Sequence, residues 1–480
     1  MPPPPSQTNV PAPFPFGTAG APGGAAAGAF AGAPGLTIPG ALAPTVLSLR
    51  GGTLEFHPTL RASEEYSDNF FQTSSHAQDN FRSILGPGFT FLLKGARTFG
   101  TLSAVVDLVH DTAKNSGDEL KVFPSLAATI RYALTPRLSL TFSDTFIRND
   151  SASTLDTRGI RQGRQTSDTN AASVVADYIL DQVAVQAYYR NILFLNEGNA
   201  NTADGTGVGT SSSGTSQNDS ITNVLGLNGT TRVAVDYLLR AGYEFSRTDV
   251  TGGSSTTDGT TTGDDTSHTV FGSVSRIFGL YASGGLTSSF QYQTLNNTKI
   301  YNASLFGAYG LPTGLSLSAS LGYSILTSDT EDNTGTIAVN AAASYRFTRA
   351  VISVGAFQDF QQTAQQGQNF GTVVTRSYFG NFLYQITPFI NATLNATYSE
   401  NEPTGTGNVQ GAGTQTVLTY GAVVNWQVLR WLTASIQYTH TKSTGLSTFA
   451  QTTTPSNPGT AGLGGNYSEN RAILSLYATF

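Results

Sequence analysis

The sequence has no cysteine, one methionine and two tryptophans in 480 residues. Without cysteine, neither a disulfide framework nor a thiolate metal site can form. Charge is scarce too. Asp, Glu, Lys and Arg make up 12% of the chain, against about 25% in an ordinary soluble domain. The balance of 25 Lys+Arg and 31 Asp+Glu leaves a net charge of -6, and the basic patch that nucleic-acid binding needs is missing, so no nucleic-acid partner is expected. Disorder driven by charge is not expected either, because aromatic residues account for 10% of the sequence. No run of about 18 apolar residues exists, which excludes a helical membrane span. Helical spacing of apolar residues appears nowhere with strength.

The chain is instead rich in Gly, Ser, Thr, Asn and Gln, with 52 glycines, 20 tyrosines and 28 phenylalanines. Its first fifty residues stand apart. Met1 to Pro5 is a proline run, Gly17 to Pro44 is almost wholly Gly, Ala and Pro, and no Lys or Arg precedes Arg50. Such a segment cannot bury enough surface to offset chain entropy, so residues 1–52 are expected to be a flexible tail and residues 53–480 the folded domain. The tail lacks the basic start and apolar stretch of a secretory signal. The expectation is therefore that the true start lies upstream or that the chain is a processed form.

From Thr53 onward the pattern has period two. Leu315, Leu317, Ala319, Leu321, Tyr323 and Ile325 alternate with Ser316, Ser318, Ser320, Gly322 and Ser324, and similar runs cover Ile337–Phe347 and Ile390–Ser399. Alternation puts one face in an apolar medium and the other in water. Tight connections at Thr135–Arg137, Leu311–Gly314, Phe347–Arg349, Ile386–Pro388 and Leu429–Arg430 alternate with long polar joints at Asn149–Asn170, Asn196–Asp219, Thr248–Ser267 and Lys442–Gly465. Short turns at one end and long polar loops at the other describe a transmembrane β-barrel in a bacterial outer membrane. The expected fold is all-β: an antiparallel up-and-down barrel of about 20 strands (range about 18–22), preceded by the disordered tail. Aromatics on the apolar faces, including Tyr132, Tyr189, Tyr243, Tyr323, Tyr345, Tyr398, Trp426 and Tyr438, suit the membrane–water interfaces.

Two short stretches carry resemblances. Ala472, Leu474, Leu476, Ala478 and Phe480 alternate with more polar residues up to the end of the chain. This resembles the closing strand of outer-membrane barrels, and the resemblance implies that Phe480 is an assembly signal read by the barrel-assembly machinery. The run Leu60–Phe70 places Glu64, Tyr66, Asp68 and Asn69 in a Glu-x-Tyr-x-Asp-Asn spacing. It resembles the opening strand of the beta-barrel porin 2 family, whose members often occur in exopolysaccharide loci. The bland reading of Asp68-Asn69 is a turn at the first outer loop, where both side chains bond nearby backbone.

On the strand expected over Val233–Phe245, Asp236, Arg240 and Glu244 share the polar face. By the same parity Asp107, Arg131, Arg190 and Arg346 point inward, and these seven are the lumen-facing candidates. Mixed charges diluted in Ser, Thr and Asn suit a hydrated pore for neutral or weakly charged solutes, since a strongly anionic polymer would favour a basic lumen. The alternative is that they pair across strands to brace the wall. Catalysis is not expected. His57, His76, His110, His268 and His440 are scattered, and His110 and His440 fall on the lipid-side parity. No cofactor is implied. Asp258, Asp264, Asp265, Asp329, Glu331 and Asp332 are expected to be solvated loop carboxylates; cation bridging to lipopolysaccharide is the other reading. The function expected is an outer-membrane channel passing hydrophilic solutes or a secreted polysaccharide. A structural or adhesive barrel, or a sheath docking a periplasmic partner, is the alternative. Membrane lipid and lipopolysaccharide are the remaining partners implied.

Overall fold

Leu321, between Ser320 and Gly322, is 63% exposed, while Ser324 three residues on is fully buried. That inversion of ordinary packing runs through the molecule. The computed structural model describes residues 45–49, 52–70, 72, 77–112, 120–150, 166–196, 219–251, 264–294, 297–329, 333–365, 368–404, 414–445 and 466–480. Twenty antiparallel strands, from β2 (Gly52–Ser67) to β21 (Tyr467–Thr479), pair each with the next in sequence. β21 pairs back onto β2, with Thr479 opposite Thr59 and Arg471 opposite Ser67, so the barrel is closed and no sheet edge is left in the membrane. A short strand, β1 (Thr45–Leu49), pairs with Gly52–Phe56. The predicted tail thus includes one strand at its end, and residues 1–44 lie outside the described residues.

Both described termini of the barrel lie at one end. There the connections are tight: Arg97, Thr135–Arg137, Leu311–Gly314, Phe347–Arg349, Pro388 and Arg430 all sit in turns at this end, which is the periplasmic one for a barrel in the outer membrane. Gly314 adopts φ +99° and donates its amide to the Leu311 carbonyl at 3.0 Å, a turn that Pro312 presets and a β-branched residue would strain. The long polar joints lie at the opposite, outer end. Strand lengths run from 12 to 20 residues in the barrel, longer than the 9–11 that suffice to cross a bilayer.

The exterior is apolar. Leu305 opposes Leu321 in adjacent strands, and Ile436 opposes Leu474, all four more than half exposed. Tyr301 and Tyr309 mark two levels on β13 (Thr298–Gly310). Eight residues of tilted strand separate them, roughly 20 Å in height, close to the apolar band of such barrels. Near the inner level, the Arg276 guanidinium lies over the rings of Tyr237 and Phe278 at 5.4 and 5.3 Å. This is how a cation near the interface keeps its stem in lipid and its head in water. At the outer level His268 accepts or donates a 2.8 Å bond with the Tyr243 hydroxyl, and His440 stacks on Tyr420.

Candidate functional site

The polar face of every strand turns inward, and the predicted candidates are placed by it. Asp107, on β4 (Thr98–Asp111), receives a 2.5 Å bond from Arg61 of β2. The pair reaches across β3 (Asn80–Gly95) above Gly86, where an added Cβ would collide with the Asp107 carboxylate. The same device recurs between β8 (Val183–Asn196) and β10 (Tyr237–Thr251). The Tyr188 hydroxyl donates to Glu244 across Gly226 of the strand between them, and a Cβ there would meet the tyrosine ring. Glycine at these two positions is what allows side chains of next-but-one strands to touch along the inner wall. Arg190 lies one turn of the pleat from Tyr188 on the same face. Arg240 sits over the inward Phe271 ring at 5.3 Å, and Arg131 donates to Ser139 at 3.4 Å. Arg346 ends its strand at the periplasmic rim, where it is exposed and its amide bonds Gly314. Asp236 is not on the wall. Val235 and Asp236 form the turn between β9 (Asp219–Ala234) and β10, so the strand expected over Val233–Phe245 is broken there. The physical reason is that two residues suffice to reverse an antiparallel pair, and neither glycine nor proline is needed when the flanking register shifts by one.

A buried ionic cluster at the outer end of the lumen has no counterpart among the predicted residues. Arg82, 5% exposed, donates to Asp111 at 2.7 and 3.1 Å and to Asp150 at 2.7 and 3.0 Å. Lys121 reaches Asp111 at 3.1 Å, Asn80 donates to it at 3.0 Å, and the Phe70 ring lies beneath the guanidinium at 5.1 Å. The cluster ties together the outer ends of β3, β4, β5 (Lys121–Ala133) and β6 (Leu138–Asn149). Its signal in the sequence was parity: Arg82 and Asp111 share the inward face with Gly86 and Asp107.

The run Glu64–Asn69 turns out to lie on the seam. Asp68 accepts the Asn470 amide at 2.7 Å, Asn69 donates to the Ser468 carbonyl at 3.0 Å, and Ser67 and Gln72 donate to Glu469 at 2.9 and 2.7 Å. Glu65 meets Arg471 at 2.7 Å. Glu64 and Tyr66 point outward, Glu64 accepting from Ser83 at 2.8 Å and Tyr66 against Phe81. Glu65, Ser67, Asp68, Asn69 and Gln72 thus latch the start of the barrel to its last strand, beyond the nine backbone pairs that close it. At the other end of the seam, the Phe480 amide bonds the Pro58 carbonyl at 2.9 Å and its ring stacks on Trp431.

The wall's electrostatics follow. Some inward charges stand in opposite-sign contacts, such as Arg61–Asp107 and Arg471–Glu65, and others bond neutral groups, as in the Gln186–Asp177 bond at 2.8 Å. A wall on which charges of both signs are dispersed presents a weak net field to a passing ion. Among the described residues no three His, Asp or Glu side chains gather to hold a metal ion. The loop acids Asp264 and Asp329 accept bonds from Val250 and Asn297, and Asp265 from Gln293; Asp258, Glu331 and Asp332 lie outside the described residues.

No protein-family model matches the chain, and no curated protein matches it in sequence. Its fold is similar to solved structures of the ferric enterobactin receptor of Pseudomonas aeruginosa. A variant of that receptor in complex with enterobactin superposes with a TM-score of 0.53 at 13% identity, covering 89% of this chain and 81% of that one. A second variant gives 0.51 at 13% identity, over 89% and 80%. At such identity the likeness is one of fold: a large closed barrel of the Gram-negative outer membrane.

Proposed function

We propose that the chain is an outer-membrane channel for hydrophilic solutes. The observation that carries this reading is the inner wall. For twenty strands tilted near 40°, the backbone radius is roughly 20 Å. Side chains from opposite walls cannot meet across that span. The inward residues are mostly small and polar, and their charges, of both signs, are spread along the wall rather than aimed at one ligand. Similarity of fold to a receptor barrel solved in complex with enterobactin is in keeping with solute passage without naming the solute here. Passage of a secreted polysaccharide is the finer form of the reading. It rests on the Glu64–Asn69 resemblance, and the seam contacts of those residues account for them without a polymer. No chemical step belongs to the proposal.

The test is conductance in planar bilayers, with full-length protein and with Met1–Pro44 deleted. Both should conduct with little preference for the sign of the ion, the truncated form equally or better. Silence from both, with heat-modifiable migration showing a folded barrel, would defeat the channel and favour a structural or partner-filled barrel.

A further inference from the structure

The inner wall has two unlike parts. Its charges gather on one of them: Arg471 of β21, Arg61 of β2, Arg82 of β3, Asp107 of β4, Arg190 of β8 and Glu244 of β10 all take the inward parity there. From β12 (Ala282–Gln293) to β20 (Leu432–Thr444) the pattern changes. Across these nine consecutive strands the inward residues include two charged ones, Arg346 and Asp359. Arg346 stands at the periplasmic rim. Asp359 is buried, accepting from Ser324 at 2.7 Å and Asn302 at 3.3 Å. The other charges of these strands, Lys299, Arg376, Glu400, Glu402 and Lys442, share the parity of Tyr301, Tyr378, Tyr398 and Tyr438 and so face outward.

Three phenyl rings interrupt this uncharged face. Phe306 of β13 begins a row of directly opposed residues that runs through Ser320 of β14 (Leu315–Thr327) and Asn340 of β15 (Thr334–Arg346) to Phe357 of β16 (Ala350–Gln365). Phe357 opposes Ser377 of β17 (Gln368–Thr387), which puts Phe379 diagonal to it. Phe379 itself opposes Gly355, and a Cβ there would collide with its ring, so the ring leans over β16 toward Phe357. The rings mark an oblique line of roughly 20 Å, at about 4.8 Å per strand. Phe379 is 44% exposed to the lumen. Amides stand beside the rings. Asn340 opposes Phe357, and Asn381 opposes Asn395 one pleat below Phe379. All three are exposed, and among the described residues none of them makes a side-chain hydrogen bond, even Asn381 with Asn395. Opposed inward amides elsewhere do bond, as Asn425 and Asn391 at 3.0 Å.

We infer that this sector of the wall is a binding track for neutral saccharides in the channel. The inference deepens the proposed function and rests on it. A pyranose carries C–H groups on its faces and hydroxyls around its edge. The faces gain by covering exposed phenyl surface. The edge hydroxyls find both donors and acceptors in the open amides. An apolar surface with a few placed polar groups is the usual make-up of a small-molecule site. A nucleotide or an acidic sugar would stack as well, but its phosphate or carboxylate would meet no cation beside the rings. A purely apolar solute would cover the amides and leave them unpaired.

The experiment adds maltotriose, cellotriose or mannotriose to one side of a planar bilayer holding single channels of the full chain, with the galacturonic acid trimer as the charged counterpart. The neutral trisaccharides should interrupt the current in a concentration-dependent way, and the charged one should not. Phe357→Ala combined with Phe379→Ala, shown folded by heat-modifiable migration, should raise the half-blocking concentration by about tenfold, as loss of aromatic anchors does. Should that pair fail to assemble, Asn381→Ala with Asn395→Ala, which removes two exposed amides that no side chain bonds, should raise it severalfold. Full current that none of the three sugars interrupts, or equal interruption in parent and variants, would overturn the track and leave the channel standing. Silence from the folded full chain would defeat the channel instead. Titration calorimetry on the folded barrel in detergent then decides the saccharide site alone: heat of trisaccharide binding that the variants lose supports it, and no heat overturns it.

Discussion

Leu321 and Ser320 differ by one residue and by the whole thickness of the wall. Leu321 is the central residue of β14, opposite Leu305 on one side and Val339 on the other, and its side chain faces lipid. An arginine at the bilayer midplane on that face costs about 2–4 kcal/mol, and the cost falls to about 0–1 near the interfaces. Leu317, an equally apolar position, is the third residue of the strand and lies near the periplasmic rim, so it is the weaker probe. Leu321→Arg should therefore lower the folding equilibrium by a factor of about 30 to 1000, at about 1.4 kcal/mol per tenfold. Ser320→Arg should change it by less than about 1 kcal/mol. Its side chain enters the lumen between Phe306 and Asn340, where water can reach the guanidinium. The assay is equilibrium unfolding in guanidinium chloride from lipid vesicles, with the heat-modifiable band as a check on assembly. Equal losses from the two substitutions would refute the assignment of faces. A large loss at Ser320 alone would mean that the interior is packed at that level.

Arg82→Ala should cost about 3–5 kcal/mol in the same unfolding assay, because it removes the guanidinium that Asp111 and Asp150, both under 10% exposed, share, and leaves Lys121 as the cation on Asp111. Gly86→Val should part Arg61 from Asp107 and leave the half-buried Asp107 carboxylate without its partner, a loss of about 1–3 kcal/mol. A double-mutant cycle with Asp107→Asn should show the two substitutions to be strongly non-additive.

Alternation made the barrel legible because a wall between lipid and water imposes opposite demands on neighbouring residues, with nothing in between to blur them. Strand order, sidedness and the tight turns came with it, and Thr135–Arg137 and Leu311–Gly314 lie where proline and glycine placed them. Period two says which face a residue takes and nothing about its partner. The Arg82 cluster needs four strands and Phe70 to assemble, and the Tyr188–Glu244 contact depends on a glycine in the strand between. Asp236 was misplaced for a related reason: the turn at Val235–Asp236 has no breaker residue, so an alternating pattern runs through it unbroken.

The outer end of β16 (Ala350–Gln365) shows where the rule stops holding. Parity assigns a face only while the strand remains in the wall, because the wall is what gives each face its solvent. Beyond Gln358, β16 has lost its β15 (Thr334–Arg346) partner, while β17 (Gln368–Thr387) stays paired with β18 (Ile390–Pro403) as far as Val373. Phe360 and Val374 then find their apolar surroundings against Leu326 rather than lipid. Period two is therefore a guide to what surrounds a residue only where its strand keeps a partner on both sides.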